Sequence, residues 1–443
     1  MFFFLILKLL FSIFFFFQLY KNSYLFNENF KDKCSKIFKK LIKNSTNIKI
    51  RIGIYTKGIS NGGRGRITAI LLNNFHRIPE FELYLFTKNK KYLSDYIIPN
   101  ETKRIYINDD IVKNIQKIKK TKIDILIYQL DKAKEIISLN NLKTTKVIFY
   151  LHLSIFFWIY SNLNYLKILY KAYKKSKYIV NIIPFENDYL FKRWGINSIY
   201  MTNFLTYEYN SVVPSDLSTK TILMIGRAYD KVKRFNLGIM AMAYIIKEVP
   251  ESKLKIISSK TGIQGLQKLV KSLNIEKNVN FIGFTSKPEV YFKNASLHIF
   301  PTICESFGLV LSETKIYGIP NIVLGLNYVS IAKGGTVIIY DDKPESLANE
   351  AIKILKNNRY RKILGKNARI SMKKFNNESL LLKWISLILS VYNGDNYYEI
   401  LRQKNKKISD GEAMNIINSQ IKLLKLRKPR LQNFTINDLL NII

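Results

Sequence analysis

Twice along this chain, short apolar strands alternate with amphipathic helices, and that repeated rhythm limits the fold more than anything else in the sequence. KIRIGIY reads as an opening strand (49–55). A loop at 57–65 holding Gly58, Gly62, Gly63 and Gly65 follows, then a helix over 66–75. Further strands are expected at 81–86, 123–128, 146–150 and 178–183, with helices at 167–177 and 188–194. After a polar stretch at 211–220 the pattern restarts. Strands fall at 221–225, 254–258, 279–282, 297–300, 321–324 and 337–340, and helices at 235–248, 263–273, 308–317 and 344–355. Parallel neighbours need a crossover long enough to be helical, so this spacing gives parallel, doubly wound sheets. The chain is read as α/β, with domains at 47–205 and 218–375 facing each other across a cleft. A C-terminal helix, 376–393, is expected to pack back on the first domain, and 394–443 is a charged tail. Ligands of such sheets bind beyond the carboxyl ends of the strands, which makes the cleft the expected site.

Ahead of the first strand, residues 2–20 form one apolar run broken by Lys8, Ser12 and Gln18. A helix of that length rises about 28 Å, close to the bilayer's hydrocarbon thickness of about 30 Å. With no A-x-A-like site and no basic n-region, it reads as an uncleaved anchor, 1–21, rather than a signal peptide. A basic juxtamembrane linker, 22–46, comes next. No charged side chain precedes the run's own Lys8, so the positive-inside rule puts everything after the anchor in the cytosol. The expectation is a single-pass membrane protein with a cytosolic catalytic domain.

Lys and Arg number 71 against 32 Asp and Glu, a net charge of +39. A basic surface suits nucleic acid. The lysines, however, are spread along the chain, and no zinc finger, RNP-type motif or basic heptad region accompanies them, so nucleic acid is not an expected partner. Cys34 and Cys304 alone cannot build a disulfide framework, and His76, His152 and His298 leave no cluster for zinc.

Three features converge at strand ends. Gly226-Arg227 follows the strand at 221–225, with Lys231, Lys233 and Arg234 close behind. Fixed cations beside a helix N-terminus suit a diphosphate. The second feature is PTICESFGLVLSE, 301–313. Glu305 falls in the loop after a strand, and Gly308 opens a helix whose N–H groups and dipole favour an anion. Glu313 lies about a turn and a half into that helix, where a carboxylate can accept from a ribose diol. Cys304, with no His or Asn signature near it, reads as a packing residue. The third feature pairs Gly62-Gly63 with His152, a lone histidine at a strand's carboxyl end, in reach of a substrate across the cleft.

Taken together, these residues resemble the retaining GT-B glycosyltransferases of the GT4 kind, the glycosyl transferases group 1, over about 221–356 and more weakly over 48–205. Glu305-x7-Glu313 with Phe307-Gly308-Leu309 inside it carries the likeness, followed by Gly318-Ile319-Pro320. Ile225-Gly226-Arg227…Lys233 and Val279-Asn280-Phe281-Ile282-Gly283 precede it, and Gly62-Gly63-Arg64-Gly65-Arg66 and His152 support it in the first half. The resemblance implies a GT-B fold of two Rossmann-like domains, a nucleoside-diphosphate sugar as donor substrate, retention of anomeric configuration, and neither cofactor nor metal. Arg227 and Lys233, next to Gly226, would bind the donor diphosphate and stabilise the leaving group. Glu305 would lie against the donor sugar, with Ser306 as the small residue that usually follows it. The amides of Phe307, Gly308 and Leu309 would meet phosphate, Glu313 would hold the ribose, and Phe284 would face the base. His152 would contact the donor sugar or β-phosphate, and Gly62 and Gly63 would let backbone approach from the acceptor side. The family usually carries Lys-Gly where this chain has Lys233-Arg234. Beside a bilayer, the expected acceptor is a lipid-linked sugar, or another glycan or protein. Two other readings stay open: a non-catalytic sugar-nucleotide binder of the same fold, and a basic nucleic-acid binder.

Overall fold

The structure is a computed structural model that describes residues 48–60, 62–88, 95–259, 261–394 and 408–440, with a few positions within 30–37 and 398–399. Strands β1 (Ile50–Thr56), β2 (Phe81–Thr87), β3 (Lys103–Tyr106), β4 (Ile125–Tyr128), β5 (Lys146–Leu151), β6 (Tyr178–Asn181) and β7 (Ile199–Tyr200) form one parallel sheet, ordered β3-β2-β1-β4-β5-β6-β7. Strands β8 (Thr221–Ile225), β9 (Lys253–Ile257), β10 (Val279–Phe281), β11 (Leu297–Phe300), β12 (Asn321–Leu324) and β13 (Thr336–Ile339) form a second, ordered β10-β9-β8-β11-β12-β13. Helices cover both faces, so central strands are buried on both sides: every residue of β4 (ILIY) and β11 (LHIF) is buried. Strand order reverses between β1 and β4 and again between β8 and β11, and a doubly wound sheet opens its crevice at such a reversal.

The helices that bear on the site are α1 (Gly63–Phe75), α2 (Ile155–Ser161), α3 (Phe235–Glu248), α4 (Leu309–Ile316), α5 (Asn377–Asn393) and α6 (Asp410–Arg427). α5 follows the second sheet in sequence but packs on the first. Its Trp384 is fully buried, with the Phe75 ring 5.9 Å away and the Tyr150 ring 5.2 Å away. Lys146 Nζ donates to the Tyr392 carbonyl near the helix end (2.8 Å). One apolar core therefore runs from Ile54 and Phe149 in the first sheet to Phe300, Phe307 and Tyr328 in the second. The outer face of the second sheet has its own core around Met224, Ile256 and Leu347.

Two short edge strands, β3 and β7, and helix α6 within the charged tail lie outside the sequence expectations. β3 reads KRIY and is only partly buried, so it lacks the apolar run that marks the central strands.

The expected transmembrane helix requires correction. Residues 2–20 lie outside the described residues. Among the described residues, no helix is long and apolar enough to cross a membrane. Spanning takes about 20 apolar residues. α5 has 17, buried against the first sheet, and the 18 of α6 include Asp410, Glu412, Lys422, Lys425 and Arg427. The described fold is the two-sheet α/β architecture, and no helix among the described residues supports the expected anchor or the single-pass placement drawn from it.

Candidate active site

The crevice at β8 and β11 gathers the donor-side residues. After β8, Gly226 takes φ +154 and leads into a 3-10 turn, Lys231–Lys233, capped by Asp230, which accepts from Val232 N (3.0 Å). The turn faces Lys231 to solvent and Lys233 inward. Lys233 Nζ bonds the Glu305 carboxylate and lies 5.3 Å over the Phe300 ring. Arg227 stays half-exposed beside Asp230 (2.8 Å). Arg234 adopts the left-handed conformation (φ +50), where a glycine is least strained, and its guanidinium pairs with Asp342.

After β11, the Glu305 backbone N–H donates to the hydroxyl of Tyr328 (3.1 Å), which fixes the loop. Ser306 and Phe307 are buried. Gly308, at φ +80, caps α4 and leaves the first-turn N–H groups as free-standing donors of the kind that bind anions. Glu313 is buried in α4 at 1% exposure. Cys304 is buried, and burial pushes its thiol up to about 12, so it is a packing residue.

The first sheet meets this loop directly. Gly62 (φ +91) caps α1, and a Cβ added to Gly63 would lie 3.5 Å from Leu309, so the glycine loop touches the start of α4. Arg66, one turn into α1, pairs with Glu313 across the cleft and stacks over Tyr96 (5.5 Å). A buried carboxylate needs such a cation. His152 follows β5, with its ring 4.3 Å from that of Tyr150. Burial, and then the Arg64 guanidinium, hold it neutral, and its Nε2 has no partner among the described residues. Two residues on, Ser154 Oγ and Ile155 N both donate to Glu186 Oε1 (2.8 Å each), on a π-helical turn at Glu186–Leu190. Burial pushes that carboxyl up to about 8. Phe156 then packs against Tyr328 (4.8 Å), so the His152 loop abuts the segment that holds Glu305.

The structure thus brings Lys233, Glu305, Ser306, Phe307, Gly308, Leu309, Glu313, Gly62 and Gly63 to one cleft. Phe284 stands apart, 61% exposed after the edge strand β10. Sequence reasoning assigned no role to Arg66, Tyr328, Glu186 or Arg427. Arg66 stood inside the glycine motif, but its partner lies 247 residues away. Among the described residues, no group of three or more His, Cys, Asp or Glu could hold a metal ion.

Two facing parallel sheets with cations and a helix N-terminus at the strand reversal define a class of fold, the two-domain α/β architecture of GT-B type. Residues 208–371 match the family described as glycosyl transferases group 1. The chain is 30% identical over 197 residues to N-acetyl-alpha-D-glucosaminyl L-malate synthase of Bacillus anthracis, covering 43% of this chain and 49% of that relative. The fold is similar to sucrose-phosphate synthase from Thermosynechococcus elongatus (TM-score 0.67, 15% identity, 78% of this chain and 100% of that one). It is also similar to a TarM mutant of S. aureus in complex with Fondaparinux, alpha-GlcNAc-glycerol and UDP (TM-score 0.65, 13% identity, 78% and 100%). The chain spans about half or less of the length of the curated relatives it matches.

Proposed function

We propose that the protein transfers a sugar from a nucleoside-diphosphate sugar to a hydroxyl acceptor, with retention of anomeric configuration. The observation that carries this reading is the meeting of Lys233 with Glu305 at the mouth of the α4 N-terminus, one and a half turns before Glu313. In this reading the diphosphate lies along Gly226, Arg227 and Lys233 and against the amides of Phe307, Gly308 and Leu309. Leaving-group charge is then met by preorganised cations and N–H dipoles. Glu305 and Ser306 face the sugar, and Glu313 accepts from the ribose. Neutral His152 offers Nε2 to the sugar or β-phosphate, and Gly62 and Gly63 admit the acceptor close to the reacting carbon. Attack on the face the diphosphate leaves, with a phosphate oxygen taking the acceptor proton, gives retention. The relative from Bacillus anthracis bears an alpha linkage in its name, and the TarM complex holds UDP, which makes UDP the first nucleotide to test.

The test is thermal unfolding of the full chain against UDP-, GDP- and ADP-sugars. At about 100-fold excess over Kd, one nucleotide stabilises by roughly 2.7 kcal/mol, and Glu313→Ala abolishes that shift. A folded protein that none of the nucleotides stabilises refutes the reading.

A further inference from the structure

The family match ends at residue 371, yet the chain continues into α6 and an ordered segment beyond it. This segment touches both halves of the molecule. At its start, Ile408 N donates to Asp188 (2.6 Å), and past α6, Lys428 and Arg430 donate to the last carbonyls of α2, at Tyr160 and Ser161. These are first-domain contacts. Between them, α6 leans on the second domain: Gln420 donates to Asn327 (3.1 Å), the residue before Tyr328.

Arg427 ends α6 with its guanidinium buried, at 2% exposure. Nε donates to Asp342 (3.1 Å) and Nη1 to the carbonyl of Ile303 (3.2 Å). Nη2 is buried with no partner among the described residues. Asp342 is already shared with Arg234, so one carboxylate serves two guanidinia. An incompletely paired buried charge costs stability, which makes a purely stabilising role a poor account of Arg427. What the residue does hold is the backbone two positions ahead of Glu305, while α6 backs the Tyr328 segment whose hydroxyl holds the Glu305 N–H.

We propose that residues 408–430 form a strap across both domains and that Arg427 is a positioning residue for the Glu305 loop, needed for sugar transfer rather than for holding the nucleotide. This rests on the reading of Glu305 as the residue against the donor sugar. It also gives Arg234 a context. An arginine occupies a left-handed position where the family usually has glycine, and Asp342 ties that residue to the strap.

The experiment compares the full-length wild type with Arg427→Ala and Arg427→Lys by amide hydrogen exchange, nucleotide-induced thermal shift and steady-state kinetics. In Arg427→Ala, exchange over residues 302–308 is expected to rise about tenfold or more while β8 and β11 stay protected. The nucleotide shift is kept. kcat falls about tenfold or more, with KM for the donor within about threefold, since small displacements of a catalytic loop are costly. Arg427→Lys restores part of kcat. Unchanged exchange over 302–308, protection lost equally throughout both sheets, or a kcat equal to wild type would overturn the proposal. If Arg427→Ala does not fold, Asp342→Asn and Arg427→Lys carry the same comparison. A wild type that no nucleotide stabilises defeats the donor reading instead, and the loop exchange still decides whether Arg427 holds the loop.

Discussion

Replacing Lys233 by alanine is expected to lower kcat by about 10²–10³-fold at saturating donor, the usual effect of removing one preorganised group that meets developing charge. The ammonium is held in place from three sides. Asp230 caps its turn, the Phe300 ring lies beneath it, and Glu305 accepts its proton-bearing end. On the proposed reading it therefore needs no reorganisation when a leaving nucleotide gains charge. Lys231 sits on the same turn but faces solvent, and Lys231→Ala is expected to change kcat by less than about twofold, because exposed charges are screened. Steady-state rates of the two variants with the nucleotide sugar that stabilises the wild type decide the matter. Equal losses in both would assign the effect to overall basicity rather than to Lys233.

The second large effect is on stability. Glu186 titrates near 8 in the folded chain, against an ordinary value of 4.5, because burial disfavours its charged form. Between those values the folded state keeps a proton that the unfolded state has released, so stability falls as pH rises from about 4.5 to 8. At about 1.4 kcal/mol per pH unit, the cost accumulates to about 3–5 kcal/mol. Glu186→Gln keeps an oxygen acceptor for Ser154 and Ile155 and removes the titration. Urea midpoints at pH 5 and pH 8 should converge in the variant and differ in the wild type. Parallel slopes in the two proteins would show that other groups carry the pH dependence.

What could be read from the sequence follows from how local each signal is. Strands β8, β11 and β12 and helix α3 fall where the apolar runs predict, since each is a single continuous run bounded by Gly, Pro or polar residues. β7 is two residues long, and Asn358–Ser371 is a helix whose RYRK start masks its buried stripe. Helix α6 hides for a similar reason: its buried set, Ala413, Ile416, Ile417, Gln420, Ile421, Leu423 and Leu424, is interrupted by Asn415, Asn418, Ser419 and Lys422 and flanked by charges at both ends. The same division holds in the site. Lys233, Glu305 and Gly308 stand next to strand ends that are themselves legible, so their neighbourhood can be inferred. Arg66 with Glu313, Tyr328 with Glu305, and Arg427 with Asp342 join segments 247, 23 and 85 residues apart, and no periodicity in one sequence encodes such meetings.

The burial of Trp384 against Phe75 and Tyr150 has a consequence for the order in which the chain can mature. During synthesis, domains generally fold from the N-terminus as they emerge. Here the first sheet is the earlier product, yet a large piece of its interior is made only after the second sheet. Until the ribosome has passed α5, the faces of Phe75 and Tyr150 that Trp384 covers stay open, and the nascent half carries uncovered apolar surface while the entire second sheet is being translated. The two halves are separate in topology but joined in time, and the first is complete only when the second already exists.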